Sequence, residues 1–297
     1  MSAPLILATG AAGQLGQTLK RLWSEKPLAN FQFEALDRTQ LDIGDGDMTN
    51  AVLDDLKPAI IVNAAAYTLV DRAESERDSA YLVNDEAAAI LATWAAENSA
   101  KLLHISTDFV FDGSATTPYL CDQSTDPLGV YGASKLAGEE KVSRLAKGCS
   151  AIVRTSWLYS EYGNNFVKTI LRLMAERDQL NVVDDQIGSP TSTHGLADLI
   201  FAMIAKGSYD GIYQWTDGGS ISWYAFAVEI QKQALAIGLL KKEIPIHPIT
   251  TSEYPTPARR PAYSVLDRSR ILGEFDCPTQ DWKTQLNEVL IALTNAS

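Results

Sequence analysis

The chain has 297 residues, 46% of them hydrophobic and 21% charged, and carries a net charge of −12. That apolar supply suits one large α/β domain or two unequal lobes. The acidic balance repels phosphate backbones and anionic bilayers, so neither nucleic acid nor a membrane is expected as a partner.

In chain order, residues 5–9 form a short apolar run that leads straight into a glycine turn. It lacks a basic front and reads as a first strand, not a signal peptide. Further strands are expected at 31–36, 59–63, 101–106 and 151–155, with helices near 14–24, 48–56, 78–98 and 132–145 between them. Strands bridged by helices imply a parallel sheet covered on both faces. The second half is less regular. Helices fit 166–176, 196–205, 223–237 and 279–293, a short run fits 181–184, a strand fits 211–215, and 244–261 reads as a Pro-rich irregular loop. The expected fold class is α/β, a Rossmann-like doubly wound parallel sheet with a smaller, mostly C-terminal substrate-binding lobe. The dinucleotide-binding domain covers 1–157, with return segments near 180–216, and the lobe is mainly 158–297. Cys121, Cys149 and Cys277, like His104, His194 and His247, are scattered, which argues against a disulfide framework or metal cluster and fits a reducing cytoplasm.

Gly10, Gly13 and Gly16 form G-x-x-G-x-x-G between the first strand and first helix. A glycine turn permits a tight reversal and close approach of a pyrophosphate, and the helix N-terminus offers free N–H groups and a favourable dipole. Asp37, at the end of the second strand, can accept from ribose hydroxyls, while Arg38 beside it could hold a 2′-phosphate. The cofactor is therefore NADPH or NADH. Asp42 and Ile43 follow and could flank adenine. The small residues at 64–66 leave room for a flat ligand, although packing alone also explains them.

Tyr131 and Lys135 stand four apart, which on a helix places both on one face. A phenol with its ordinary pKa of about 10 is a poor acid–base group near neutrality, and an adjacent ammonium lowers it. Upstream, Thr107 falls at the carboxyl end of a strand, where it could polarise a substrate carbonyl. As a turn or N-cap residue it would serve structure instead.

These features resemble the extended short-chain dehydrogenase/reductase superfamily, and within it the dTDP-4-dehydrorhamnose reductase family. The resemblance runs along nearly the whole chain, through Gly-Gln-Leu-Gly (13–16), Val-Asn-Ala-Ala-Ala-Tyr-Thr (62–68), His-Ile-Ser-Thr-Asp-Phe-Val-Phe-Asp-Gly (104–113) and Val-Tyr-Gly-Ala-Ser-Lys-Leu-Ala-Gly-Glu (130–139). It continues in Arg-Thr-Ser-Trp-Leu-Tyr (154–159), Gly-Asn-Asn-Phe-Val-Lys-Thr (163–169), Asp-Gln-Ile-Gly-Ser-Pro-Thr (185–191) and Ala-Arg-Arg-Pro-Ala-Tyr-Ser (258–264). It implies a nicotinamide-dependent reduction of the C4 keto group of a dTDP-4-keto-6-deoxy sugar. Gly13, Gln14 and Leu15 would touch the pyrophosphate, and Asp37, Asp42 and Ile43 the adenosine. Ala66, Tyr67, Thr68 and Ile105 would line the nicotinamide side. Thr107, Tyr131 and Lys135 would form the catalytic set.

Thr107, Asp108 and Trp157 would meet the dTDP-sugar, Trp157 through a broad apolar ring face. Arg260 would hold the diphosphate, a surface salt bridge being its alternative. Some members dimerise around a magnesium ion held by glutamates. This chain has Thr18 and His194 at two of those positions, so a monomer or weak homodimer without magnesium is expected. Another nucleotide-sugar epimerase or reductase, or a non-catalytic dinucleotide-binding regulatory subunit of methionine adenosyltransferase, is the alternative reading.

Overall fold

The computed structural model describes residues 3–207, 209–275 and 281–295. In the first half β1 (Leu5–Thr9), α1 (Gln14–Glu25), β2 (Gln32–Leu36), α2 (Gly46–Leu56) and β3 (Ile60–Asn63) follow in turn. Two short helices, α3 (Val70–Ala73) and α4 (Arg77–Tyr81), lead through a π-helical turn (Leu82–Glu86) into α5 (Ala87–Glu97). Next come β4 (Lys101–Thr107), a 3-10 turn (Asp108–Val110), α6 (Val130–Leu145) and β5 (Ser150–Thr155). The second half contains β6 (Leu158–Tyr159), α7 (Phe166–Glu176), β7 (Leu180–Val183), β8 (Ile187–Gly188), β9 (Thr191–Ser192), α8 (Thr193–Lys206) and β10 (Gly211–Gln214). It closes with β11 (Ile221–Ser222), α9 (Trp223–Ala236), β12 (Ile246–Ile249), α10 (Ser269–Glu274) and α11 (Trp282–Asn295).

The main sheet has six strands in the order β10-β5-β4-β3-β1-β2, and every pairing is parallel. The central strands β1 and β3 are apolar on both faces because both are covered. Ile6 and Ala8 of β1 join Leu19 of α1 and Leu196 and Ile200 of α8 in one core cluster. Leu7 joins Leu53 of α2, Leu91 of α5 and Val142 of α6 in the other. The chain leaves β1 toward β2 and crosses back to β3 on the opposite side. Such a reversal opens a crevice at the strands' carboxyl ends, where α/β sheets bind ligands.

A third cluster, built on Met174, Phe226, Trp282 and Leu286, forms the core of the second lobe. Three two-stranded ladders decorate the lobe: β11 with β8, β12 with β7 and β6 with β9. The structure revises two details of the sequence reading. Within 244–261, Ile246–Ile249 is a strand, paired in parallel with β7. Leu180 and Val182 belong to the lobe's core. The chain returns to the first core through α8 and β10, and again at Ile271 of α10. Cys277 and the expected helix start at 279–280 lie outside the described residues.

Candidate active site

The dinucleotide turn is built by close backbone contact. Gly10 has φ +71° and lies so near Ala65 that a Cβ would come within 2.9 Å of its backbone. A side chain at Gly16 would meet the Gly10 carbonyl at 2.3 Å, so α1 starts directly on the turn. Helices α2, α7, α8 and α9 are capped by their own Asp45, Asn165, Ser192 and Ser222 side chains. By contrast, α1 starts at Gly13 with no side-chain cap and no acid in its first turn. Its free N–H groups and positive dipole end face the crevice between β1 and β3, which suits a pyrophosphate. Gln14 turns its side chain away: Oε1 accepts from Ser160 Oγ at 3.0 Å and Asn165 Nδ2 at 2.9 Å. That leaves its backbone for a cofactor and ties the turn to the second lobe. Leu15 is buried, so it too reaches a ligand through main chain only.

Asp37 forms an Asx turn. Its Oδ1 accepts from Thr39 N at 2.8 Å and Thr39 Oγ1 at 2.6 Å. Those bonds, the Thr39 hydroxyl first, hold its carboxyl below the usual range. The second oxygen makes no hydrogen bond among the described residues and remains available for a ribose hydroxyl. Arg38 extends into solvent, 83% exposed, with Nε 3.0 Å from Asp42 Oδ2. Ile43 is only 3% exposed and packs in the core, so any adenine contact there must be through the backbone.

On the far side of the crevice, Ala66 and Tyr67 are half-buried and Thr68 is exposed. Tyr67 is fixed at both backbone groups by Asn84, which accepts from its N–H at 2.9 Å and donates to its carbonyl at 3.1 Å. Asn84 sits in the π-helical turn and also bonds Ser134 of α6 at 3.0 Å. Single π turns of this kind concentrate at functional sites. This one breaks the continuous helix expected over 78–98. The Tyr67 hydroxyl donates to Glu76 Oε2 at 2.6 Å, so its hydrogen is already engaged.

Helix α6 presents Tyr131 and Lys135, and its glycines explain how it comes so close. A Cβ at Gly132 would lie 2.1 Å from the Phe109 carbonyl, and one at Gly138 would lie 2.1 Å from the Asn84 carbonyl. The helix is thus pinned against the 3-10 turn after Thr107 and against the π turn. Its N-terminus is capped from afar, since Glu74 Oε1 accepts from Val130 N at 2.9 Å. An anion there also favours the helix dipole.

The structure brings Thr107, Tyr131 and Lys135 to the carboxyl end of β4. Lys135 is 1% exposed, and its Nζ donates to the Ile105 carbonyl at 2.7 Å. Burial lowers its pKa to about 8, with Glu139 opposing. Tyr131 stands edge-on to Phe109, ring centroids 5.5 Å apart. Burial pushes the phenol up to about 12, against a hydrogen bond with Thr107 that favours the phenolate. Thr107 Oγ1 donates to Asp108 Oδ1 at 3.0 Å and accepts from Phe109 N at 3.2 Å. It therefore caps the 3-10 turn, as its structural reading expects, and also reaches the phenol. Asp108 is 2% exposed. Burial raises its carboxyl to about 6, while Ser264 and Thr107 hydroxyls hold it down part of the way.

On the substrate side, Trp157 and Arg260 are both engaged within the chain. Trp157 adopts φ +47°, the left-handed region that costs a non-glycine residue strain. Its indole stacks on Trp223 with centroids 3.4 Å apart and planes 9° from parallel. Gly188 lies against the same ring, where a Cβ would come within 2.5 Å of Cε2. Trp223 thus covers one face, and Gly188 crowds the side of the ring that carries Cε2, Cζ2 and Nε1. The face stacked on Trp223 is closed to a sugar, while the half-buried residue keeps part of its surface open. Arg260 grips Asp71 of α3 with both terminal nitrogens, at 3.1 and 2.8 Å, and its side chain keeps 26% exposure. The guanidinium lowers the Asp71 carboxyl. This pair bridges the two lobes.

At the two positions that bear on the expected absence of a magnesium-linked dimer, Thr18 Oγ1 lies 2.7 Å from Thr193 Oγ1, and His194 Nε2 lies 2.9 Å from Glu161 Oε2. Sequence reasoning missed Glu74, Asn84, Asp71, Ser264 and the polar chain behind Lys135. Their partners lie up to 189 residues away, beyond any local pattern.

Residues 4–295 match the family model described as RmlD substrate binding domain. A dTDP-4-dehydrorhamnose reductase of Aggregatibacter actinomycetemcomitans is 43% identical over 289 residues, covering 96% of this chain and 97% of that protein. A crystal structure of a dTDP-4-dehydrorhamnose reductase from Clostridium acetobutylicum superposes with a TM-score of 0.90 at 40% identity, covering 98% of this chain and 99% of that one. The Bacillus anthracis reductase, crystallised with NADP, gives 0.89 at 37% identity, with 97% and 99% covered.

Proposed function

The chain belongs to the RmlD substrate binding domain family, and from that premise we propose that it reduces the C4 keto group of dTDP-4-dehydro-6-deoxy-L-mannose, with NADPH or NADH, to dTDP-L-rhamnose. The observation that carries this reading is the convergence of Thr107, Tyr131 and Lys135 beside the crevice that opens over Gly10–Gly16. The reductases to which the chain is similar support it, as does the NADP bound by one of them.

The turn fits a dinucleotide, because its backbone is bare at Gly13 and α1 is uncapped. Gly13 and the main chain of Gln14 and Leu15 would hold the pyrophosphate, and Asp37 a ribose. When bound, the reduced nicotinamide supplies the hydride to C4. Tyr131 donates its phenolic proton to the developing alkoxide oxygen, and a phenol held at about 12 carries that proton at neutral pH. Lys135, as ammonium, stabilises the phenolate that remains. Thr107 hydrogen-bonds the reacting oxygen by turning its one hydroxyl hydrogen away from Asp108, where it rests in the free chain. Arg260 contributes a fork for the diphosphate by leaving Asp71, and Trp157 contributes its N–H edge.

A monomer or weak homodimer in the cytoplasm is proposed with this reading. In its support, Thr18 and His194 are bonded inside the chain, and no described helix is long and apolar enough to cross a membrane.

The test is oxidation of NADPH and NADH with dTDP-4-dehydro-6-deoxy-L-mannose, beside a keto-sugar lacking the nucleotide. Stoichiometric cofactor oxidation with only the nucleotide-linked sugar is expected. Interconversion of sugars without net oxidation would instead identify an epimerase.

A further inference from the structure

Behind Lys135 lies a run of buried polar side chains crossing three neighbouring strands, from the ends of β1 and β3 to the middle of β4. The Ala65 N–H donates to Thr9 Oγ1 at 3.2 Å, and the Thr9 hydroxyl donates to Asn63 Oδ1 at 2.7 Å. Asn63 Nδ2 lies 3.1 Å from His104 Nδ1, and His104 Nε2 lies 3.5 Å from Lys135 Nζ. Thr9 is 0% exposed, and Asn63, His104 and Lys135 are each 1% exposed.

Satisfying every donor fixes the hydrogens. Thr9 Oγ1 already accepts from Ala65, so its own hydrogen needs an acceptor, and Asn63 Oδ1 is the one in reach. Turning the Asn63 amide over would leave that hydrogen unpaired in a site closed to water, which is costly. The amide nitrogen therefore faces His104 Nδ1, which must be the bare, accepting nitrogen. In a neutral imidazole the hydrogen then sits on Nε2. Burial and the neighbouring lysine keep His104 well below its usual pKa, so the ring is neutral. An N–H aimed at an ammonium repels it, whereas the same N–H aimed at a free amine makes a hydrogen bond.

We infer that Thr9, Asn63 and His104 are positioning residues that fix the Nε2–H tautomer of His104 and thereby bias Lys135 toward its uncharged amine. The chain's effect is to draw the pKa of Lys135 down toward working pH, where its ammonium form still supports Tyr131. Other charges facing this region are few. On α6, Glu139 favours the ammonium but is itself paired with Arg154 of β5 at 2.7 Å. Asp108 of the 3-10 turn acts on Tyr131. Asp85 of the π turn pairs with Lys141 at 2.7 Å. Helix α5 brings only Glu97 at its far end, and β3 brings no charge.

The consequence for the pH profile rests on the proposed reduction; the tautomer itself does not. The experiment is nuclear magnetic resonance of the full chain with labelled histidine rings and labelled lysine side chains, assigned with His104→Gln and Lys135→Met. The native protein should show one ring, lost in His104→Gln, with hydrogen on Nε2 at every pH between about 6 and 8. Thr9→Val should mix the tautomers and raise the Lys135 titration by about half a unit or more, roughly threefold in proton affinity. Thr9→Ser, which keeps the hydroxyl, should restore both. The basic limb of kcat should move with the lysine, while cofactor KM reports any damage to the neighbouring turn. Hydrogen on Nδ1, an imidazolium, or a lysine titration that ignores the tautomer would each overturn the inference. The expected spectra without turnover of keto-sugar would sink only the reductase reading.

Discussion

Two cations serve the two sides of the cleft, and they are held in opposite ways. Lys135 is 1% exposed, bonded to a backbone carbonyl and backed by neutral side chains. Arg260 keeps 26% exposure and holds a carboxylate with both arms. The first environment makes protonation negotiable and position rigid. The second fixes the charge, since guanidinium does not titrate, and leaves the partner exchangeable. The same contrast runs through the surroundings. The chemical side sits on sheet ends locked by hydrogen bonds, whereas the substrate side sits on short ladders and loops held by stacked rings, one strained tryptophan and one ion pair. Rigidity therefore lies where protons move, and adaptability lies where a sugar must be accepted.

The sharpest way to break this contrast is at the chemical side. Tyr131→Phe should lower kcat by about 10²–10⁴-fold, with NADPH affinity, followed by fluorescence titration, nearly unchanged. A variant that turns over normally would remove Tyr131 from proton donation. On the substrate side, Arg260→Ala should raise the sugar KM by about tenfold with kcat largely kept, as expected for binding shared by ground and transition states. Asp71→Asn frees the same guanidinium and should lower KM. If Arg260 only closes a salt bridge, steady-state kinetics will show neither change.

Smaller effects sharpen the rigidity claim. Glu74→Ala leaves the first N–H of α6 without its acceptor and should cost about 1 kcal/mol in urea unfolding, with kcat falling more than cofactor KM rises. The pH dependence of stability is a separate check on the same burial. Burial raises Asp108 to about 6 and Asp217 to about 7 in the fold, above the ordinary 3.8 of an unfolded aspartate. Between those values the folded chain binds more protons than the unfolded one. These two groups therefore lower stability as pH climbs from about 4 to 7, and thermal unfolding of Asp217→Asn should show a flatter slope across that window.

Much of the cofactor half was legible in sequence because its signals are local. A strand, a glycine turn and a helix are contiguous, and Tyr131 and Lys135 are one helical turn apart. The order of strands and helices followed from their periodicity. The substrate half was less legible. The strand at Ile246–Ile249 exists only through its partner β7, which lies more than sixty residues earlier in the chain. The crowding of the Trp157 ring depends on Gly188 and Trp223 meeting against it, and the grip on Arg260 depends on Asp71. Nor does any local pattern mark His104 and Asn63, two apparently ordinary strand residues whose chemistry arises only when neighbouring strands align.

The central claim is spatial, and a crystal structure of the chain with NADPH and dTDP tests it most directly. The account predicts the pyrophosphate on the bare N-terminus of α1, the nicotinamide ring beside Tyr131 and Lys135, and an open volume for the sugar between Thr107, the edge of Trp157 and Arg260. A cofactor bound elsewhere, or a nicotinamide out of reach of the Tyr131 hydroxyl, would contradict it.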